Sequence, residues 1–409
     1  MIIMSVPFYS RALQKKLLEV SKGKQKIKLV FGPRQSGKST LLHHHIVNSG
    51  NTMVVNLQDR RQRRHYEVDD GLLIRELEAE QKVRAVFIDE IQKVPALLDD
   101  VQYLYDKNPD RYRFYLTGSS ARQLKRRSAN LLPGRVHNLL LPPVMQAEQR
   151  DSVLMPVGMP AGRRFPRRGI EDYLIYGNLP GLYHESRGSW NETLSSYAEL
   201  YIENEIRQEN IVNNIAAFQK FLKLAALESG RFVNFTKLAR AIGVAVNTLR
   251  NFYQVLEDTY VGIHILPFAG GRKRITKAAR FLFFDPGVRH VLAELPLDSS
   301  LLALDAGGIF EQWVLAELYY RCQFHGRNYR LSTWRTASGA EVDAILETPG
   351  ELIPIEIKWT DSPSRADARH VETFMDLNEK KSKRGYVICR APRKQKLTDR
   401  TTVLPWDVF

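Results

Sequence analysis

Residues 27–40 read IKLVFGPRQSGKST. An apolar run ends at Phe31, a turn carrying Gly32 and Gly37 follows, and a helix-forming stretch begins at Lys38. The spacing Gly32, Gly37, Lys38, Ser39 is that of a phosphate-binding loop between a strand and a helix. Its logic is electrostatic. Successive main-chain N–H groups and the helix N-terminus converge on phosphate oxygens, Lys38 reaches the β and γ oxygens, and the Ser39 hydroxyl ligates Mg2+. Gly32, Pro33, Arg34, Gln35, Ser36, Gly37, Lys38, Ser39 and Thr40 are the candidate ATP loop. ATP and Mg2+ are the expected cofactors, and ATP hydrolysis the expected activity.

About fifty residues on, VFIDE closes an apolar strand with Asp89, placed to join the magnesium shell, and Glu90, placed to orient or deprotonate the attacking water. The next strand ends in LTGSS, whose Thr117, Ser119 or Ser120 can face the γ-phosphate or the water; a common polar strand end fits equally well. Arg135, in LLPGR, is a candidate arginine finger for a neighbouring subunit, and a structural salt bridge is the equal alternative. His43, His44 and His45 follow the loop on one helix, where successive residues point in different directions, so a metal site is not expected there.

Outward from the loop, IKLVF, MVVNL, AVFIDE, RFYLTG and RVHNLLL alternate with helical stretches, the pattern of a parallel-sheet α/β domain over residues 1–145. The stretch 150–168 gathers Pro, Gly and Arg and reads as a linker or exposed loop, opening a helical lid or connector over 146–230. Within 231–300, two short helical patterns split by a Gly turn precede a β-rich segment, as in a winged helix-turn-helix, with Asn247, Thr248, Arg250 and Asn251 as candidate DNA-reading residues. Packing against the ATPase core is an equal reading of that segment. From 301 to 409 a helix, IFEQWVLAELYY, precedes three strands, YRLSTWR, EVDAILE and LIPIEIKW, a helix near 367–377 and a last strand, GYVICR.

The chain of 409 residues carries 60 Lys and Arg against 45 Asp and Glu, a formal charge of +15 that favours a polyanion as partner. Nucleic acid, DNA before RNA, is the expected partner, with a homo-oligomer or protein partner also open. The charge is clustered at Arg122, Lys125, Arg126 and Arg127, at Arg163, Arg164, Arg167 and Arg168, and at Arg272, Lys273, Arg274, Lys277 and Arg280. No apolar run approaches the length of a membrane helix, and the N-terminal stretch lacks a signal-peptide pattern, so a cytoplasmic location without membrane contact is expected. Cys322 and Cys389 lack paired spacing and read as packing residues.

The motifs GPRQSGKST, VFIDEIQKVP, LTGSS, PGR, YGNLPG, FFDPGV, FEQWVLAEL, and EVDAIL with PIEIK run across nearly the whole chain. In that order they resemble the two-part prokaryotic AAA+-type ATPases whose C-terminal half is a domain of unknown function. The resemblance implies a P-loop, AAA+-like ATPase core, a helical and winged-helix middle, and a C-terminal restriction-endonuclease-like α/β domain of the PD-(D/E)xK nuclease kind. It implies no settled cellular role. PGR in place of a small residue, Gly and Arg, and the Arg-rich insert at 163–168, depart from the pattern.

The C-terminal third carries a chemical argument of its own. Asp343 and Glu356 lie on successive strands, and a period of two puts Glu356 and Lys358 on one face. Two carboxylates would bind Mg2+ and Lys358 would steady the attacking water or the developing charge of phosphodiester cleavage. Glu311 resembles the helical carboxylate such nucleases add to the metal shell, with Glu317 as a fallback. A Lys–Glu–Asp ion-pair cluster satisfies the same buried charges. Three functions follow: an ATPase coupled to a Mg-dependent nuclease acting on nucleic acid, an ATP-switched DNA- or protein-binding regulator with a silent nuclease fold, and a protein-remodelling ATPase.

Overall fold

The structure is a computed structural model that describes residues 7–19, 25–122, 134–201, 214–270, 279–336 and 338–409. Lys125, Arg126, Arg127, Arg272, Lys273, Arg274 and Lys277, and residues 202–213 of the expected middle helix, lie outside them. Two compact units make up the chain: residues 10–142 with 258–260, and residues 1–9, 143–257 and 261–409.

In the first unit the five apolar runs form β1 (Ile27–Phe31), β2 (Thr52–Asn56), β3 (Ala85–Asp89), β4 (Arg113–Gly118) and β5 (Val136–Leu140). They pair in the order β2-β3-β4-β1-β5, every pair parallel. β1 and β3 are buried at every residue, as a parallel sheet covered on both faces requires. Ile27, Leu29, Phe31, Val86, Ile88, Phe114 and Leu116 share one core with Leu97, Leu98, Val101 and Leu104 of the helix Leu97–Lys107. Each such side chain contributes ~1.5–3 kcal/mol when taken from water. Because β4 lies between β1 and β3, its C-terminal end sits between the phosphate loop and the acidic pair.

The second unit holds β6 (Gly262–Pro267), β7 (Arg280–Phe283), β8 (Arg330–Arg335), β9 (Glu341–Glu347), β10 (Leu352–Ile357), β11 (Gly385–Cys389), β12 (Gln395–Lys396) and β13 (Thr401–Pro405). Their order is β12-β13-β11-β10-β9-β8-β6-β7. β8, β9 and β10 pair antiparallel, and β10, β11 and β13 parallel. The helical pair Phe235–Ile242 and Val246–Asp258 turns at Gly243, whose φ of 86° favours glycine. Strands β6 and β7 follow as an antiparallel pair, and β6 joins β8 at Leu266 and Pro267, so one sheet runs through the expected boundary at residue 300.

The helix beginning the C-terminal third is longer than its sequence pattern, Ser300–His325. Asp305 interrupts it, accepting from Gly308 N (3.0 Å) as the cap of the amphipathic part. Residues 150–168 have no regular structure, as a linker or exposed loop would, but part of the stretch is packed. Leu154, Val157 and Phe165 are buried, the Phe165 ring stacks on Tyr9 at 4.6 Å, and Val153 N donates to Val408 O. Two motifs of the family pattern, YGNLPG and FFDPGV, meet. Asp285 accepts from Asn178 N (2.6 Å) and Val288 N (3.1 Å), and a Cβ on Gly177 would fall 2.1 Å from Asp285 Oδ1. These motifs are a structural joint. Burial pushes the Asp285 carboxyl up to about 6, against the main-chain donors that hold it. Cys322 and Cys389 are buried and free. Among the described residues no helix is long and apolar enough to cross a membrane.

Candidate nucleotide site and C-terminal carboxylate cluster

The carboxyl ends of a parallel sheet are where ligands bind in α/β folds, because the loops there converge from several strands. Here β1 delivers the loop 32–37 and the helix Lys38–His45, whose first residue is Lys38. Gly32 has no alternative: a Cβ there would lie 2.2 Å from Leu141 O. Gly37 takes a φ of 88° as the helix N-cap. Lys38 Nζ donates to Gly32 O (2.9 Å) and Pro33 O (2.8 Å), which curls the loop around its ammonium.

From the neighbouring strands, Asp89 gathers three donors. Ser39 Oγ (2.8 Å) and Thr117 Oγ1 (2.5 Å) reach its Oδ1, and Gln58 Nε2 (3.0 Å) its Oδ2. Glu90, at a left-handed φ of 61°, donates its N–H to Thr117 Oγ1 (3.1 Å). Its carboxylate accepts from Ser119 Oγ (2.8 Å) and Gln92 Nε2. Burial pushes Glu90 up, but the charges of Lys38 and Arg34 and the bonds from Ser119 and Gln92 outweigh it and hold the carboxyl below its ordinary value. Ser39, Asp89, Thr117, Ser119, Glu90 and Lys38 thus meet at one place, while Ser120 turns its hydroxyl to Arg122 N (3.3 Å).

This donor set fits ATP and Mg2+. The Ser39–Asp89 pair would hold the metal, which supplies charge neutralisation at the phosphates, and the loop N–H groups with Lys38 would hold the phosphates. Three residues here were not singled out in the sequence. Gln92 lies inside the quoted VFIDEIQKVP, in the 3-10 turn Ile91–Lys93 after β3, and Gln58 just beyond the end of β2. Arg11, buried, donates from Nη1 to Ser36 O (2.9 Å) and from Nη2 to Pro142 O (2.7 Å), pinning the loop from outside; no sequence signal marks it.

Arg135 lies apart from this set. It pairs through Nε and Nη2 with Asp106 (2.6 and 3.0 Å), and its carbonyl accepts from Ile27 N, the sheet end opposite the loop. His43 is exposed with its ring edge-on to Phe87, and among the described residues no group of three or more His, Cys, Asp or Glu side chains is placed to hold a metal ion.

The C-terminal cluster is drawn together as the sequence expects, with an unexpected member. Asp343 Oδ2 accepts from Ile357 N (2.8 Å), and Lys358 Nζ pairs with Glu356 Oε1 (2.6 Å). Arg280, 4% exposed, reaches in from β7. It donates to Glu311 and to Glu341 (2.7 Å) and stands 3.9 Å from Asp343. Arg280 stands among Glu311, Glu341 and Asp343, and Glu311 also meets Asp343, so with the guanidinium in place the arrangement does not fit a metal shell of Glu311, Asp343 and Glu356. Yet the cluster is under-neutralised. Glu356 Oε2 is buried with no hydrogen-bond partner. Burial and the Asp343 charge push the Glu356 carboxyl up to about 8, against Lys358, and push Glu311 up to about 7, against Arg280. Glu317, the fallback, also lies apart from the cluster. It accepts from Gln146 N (2.9 Å), Ala147 N (3.1 Å) and Arg321 Nε (2.8 Å), a separate buried network that caps the helix Gln146–Gln149. In the helical pair, Asn247, Arg250 and Asn251 are exposed and Thr248 half-buried, and the Arg250 guanidinium lies 4.4 Å from the Phe235 ring centroid.

Family models match three parts of the chain. Residues 24–149 match the model described as AAA domain. This part of the chain is an AAA-type ATPase domain. Residues 167–299 and 306–409 match two models described as domains of unknown function, DUF8612 and DUF4143. Uncharacterized proteins Rv2008c of Mycobacterium tuberculosis and Mb2031c of Mycobacterium bovis are each 27% identical over 288 residues, 68% of this chain and 59% of theirs. The chain thus spans under two thirds of those relatives. Uncharacterized protein MJ1637 of Methanocaldococcus jannaschii is 22% identical over 428 residues, 95% of this chain and 85% of that one. Among solved structures, a Thermotoga maritima RuvB variant is similar at TM-score 0.28 and 16% identity, covering 70% of this chain and 91% of its own. The replication initiator DnaA bound to AMPPCP and single-stranded DNA is similar at TM-score 0.29 and 11% identity, covering 60% of this chain and 86% of its own.

Proposed function

We propose that the AAA domain hydrolyses Mg-ATP to switch the engagement of nucleic acid by the rest of the chain. The observation that carries the ATP half is the meeting of Lys38, Ser39, Asp89 and Glu90 at the carboxyl ends of β1 and β3, bridged by Thr117. In this reading Lys38 and the loop N–H groups hold the β- and γ-phosphates, Ser39 and Asp89 hold Mg2+, and the ionised Glu90 orients water or takes its proton, positioned by Ser119 and Gln92. The nucleic-acid half rests on the formal charge of +15 and on exposed Arg163, Arg167, Arg250 and Asn251. The middle segment serves as a winged-helix-like reader and the C-terminal domain as a nuclease-like fold used for binding, its carboxylates partly neutralised by Arg280, Arg335 and Lys358.

The test is binding of labelled single- and double-stranded DNA and RNA at low and raised salt, without nucleotide and with ATP or a non-hydrolysable analogue, beside ATP turnover. Nucleotide-dependent binding that weakens steeply with salt is expected. Turnover with no binding of any nucleic acid at low salt overturns the reading. A second reading, Mg-dependent cleavage through Asp343, Glu356 and Lys358 with Glu311, is favoured by the partnerless oxygen of Glu356, and labelled products lost in both Asp343→Ala and Lys358→Ala would establish it.

A further inference from the structure

The misfit between the carboxylate cluster and a metal shell centres on Arg280. Its guanidinium, buried among Glu311, Glu341 and Asp343, supplies one positive charge where the fold gathers three carboxylates, and Lys358 supplies one more at Glu356. Arg335 adds a third cation at the rim, 3.5 Å from Glu341, and four carboxylates against three cations still leave an excess of negative charge. Two atoms record the poor match. Glu356 Oε2 has no donor although Glu356 is 6% exposed, and Arg280 Nε has no acceptor although it is buried. A guanidinium is a planar fork suited to pairs of oxygens lying side by side; it cannot also turn its Nε edge to the cluster while both Nη atoms are engaged. A well-matched internal ion pair would leave neither atom orphaned.

We propose that Arg280 is a resident counter-cation occupying the divalent-cation position of this cluster, so that a metal ion enters only when the Arg280 side chain leaves. The proposal rests on the second reading above, that these carboxylates are a metal site at all. Arg280 and a divalent ion compete for oxygens of Glu311 and Asp343. Apparent metal affinity is therefore the intrinsic affinity scaled by the fraction of molecules in which Arg280 is withdrawn. The position of Arg280 is set by its own strand. It opens β7, pairs with Ile265 of β6 and bridges Phe232, whose ring lies 4.9 Å from the guanidinium carbon. The cation is thus delivered by a different element from the helix and β-meander that deliver the carboxylates, so withdrawing it leaves the acidic residues on their own supports.

Mn2+ titration of the full chain by calorimetry, and its effect on the thermal unfolding seen by tryptophan fluorescence, test this. All five tryptophans, at 190, 313, 334, 359 and 406, belong to the second unit, so the signal reports on it alone. Wild type is expected to bind Mn2+ weakly, and Arg280→Met to bind it at least about ten-fold more tightly, a gain removed by adding Asp343→Asn. Arg280→Lys, which keeps the charge but loses the fork, is expected to fall between. Should Arg280→Met fail to fold, because it leaves carboxylates buried without a counter-charge, Arg280→Lys still decides the matter. Equal Mn2+ affinity in wild type and both variants overturns the role of Arg280 while leaving the metal site standing. No Mn2+ binding in any of them overturns the metal reading itself.

Discussion

Two acidic strand ends, one in each unit, are built from the same residue types and are buried to a similar depth: Asp89 and Glu90 at 4% and 5% exposed, Asp343 and Glu356 at 9% and 6%. They reach opposite electrostatic outcomes. Glu90 lies below its ordinary pKa, while Glu356 is pushed up to about 8. The difference is in the donors. The ATP site aims the hydroxyls of Ser39, Thr117 and Ser119 and the amides of Gln58 and Gln92 at its carboxylates, with Lys38 and Arg34 close by. The C-terminal cluster offers one main-chain N–H to Asp343, one ammonium to Glu356, and an arginine shared among three acids. Burial raises a carboxyl pKa only where charge and hydrogen bonds do not overrule it, and a fold sets the result by the residues it places on the neighbouring strands.

The largest effect that can break this comparison is at Lys38. Lys38→Ala removes the cation that both holds phosphate and keeps Glu90 ionised, and ATP turnover is expected to fall about a hundred-fold or more, with weakened nucleotide binding. Steady-state phosphate release and titration with a fluorescent ATP analogue measure the two separately. If turnover and affinity both survive, the loop is not the nucleotide site. Gly32→Ala is expected to abolish nucleotide binding for a different reason, since its methyl group would meet Leu141 O at 2.2 Å and push the loop off the sheet.

These sites were unequally legible in the sequence. The phosphate loop and VFIDE announce themselves because strand, turn and helix signals flank them, and the five parallel strands are apolar enough to be read individually. Gln58, Gln92 and Arg11 could not be found that way: each acts through a contact made by strand order, which periodicity does not specify. The C-terminal cluster was legible as a set of acids but not as a network. Glu311 and Glu317 are six residues apart on one helix, and at about 100° per residue they project on different faces. One therefore reaches Arg280 and Asp343 while the other caps the helix at Gln146. Arg280 was visible only as the last of a run of basic residues, because its role depends on β7 extending the C-terminal sheet. The strand Gln395–Lys396 is too short and polar to be read, and exists because Thr401–Pro405 offers it a partner.

A smaller, graded effect separates the two carboxylate pairs by pH. Glu311 and Glu356 have folded values of about 7 and about 8 against an ordinary 4.5, so the folded state binds their protons more tightly than the unfolded chain does. The stability this contributes is present at low pH and is lost as pH rises through the folded values. Between about pH 5 and about pH 8 the second unit should lose stability steadily, read by urea unfolding through tryptophan fluorescence. Glu356→Gln, which keeps the shape and removes the charge, should flatten that slope and leave the variant more stable than wild type at about pH 8. A wild-type stability that is level or rises over this range would mean that Arg280 and Lys358 neutralise the cluster fully, and the contrast with the ATP site would disappear.

The finest test lies at Ser119. Its hydroxyl is one of two donors on the Glu90 carboxylate, and the nearby charges of Lys38 and Arg34 hold that carboxyl down more strongly than Ser119 does. A depressed carboxyl loses its ionised form as pH falls, so the acidic limb of the ATPase pH profile reports on Glu90. Ser119→Ala should move that limb upward by less than about one pH unit and cost turnover roughly two- to ten-fold, with nucleotide affinity unchanged, as expected for a residue that positions the base without touching ATP. An unmoved limb with an equal loss of turnover would place Ser119 on the nucleotide or the water instead. In that case the low pKa of Glu90 is the work of charge alone, and the lesson of the two clusters narrows from hydrogen-bond donors to the cations beside each acid.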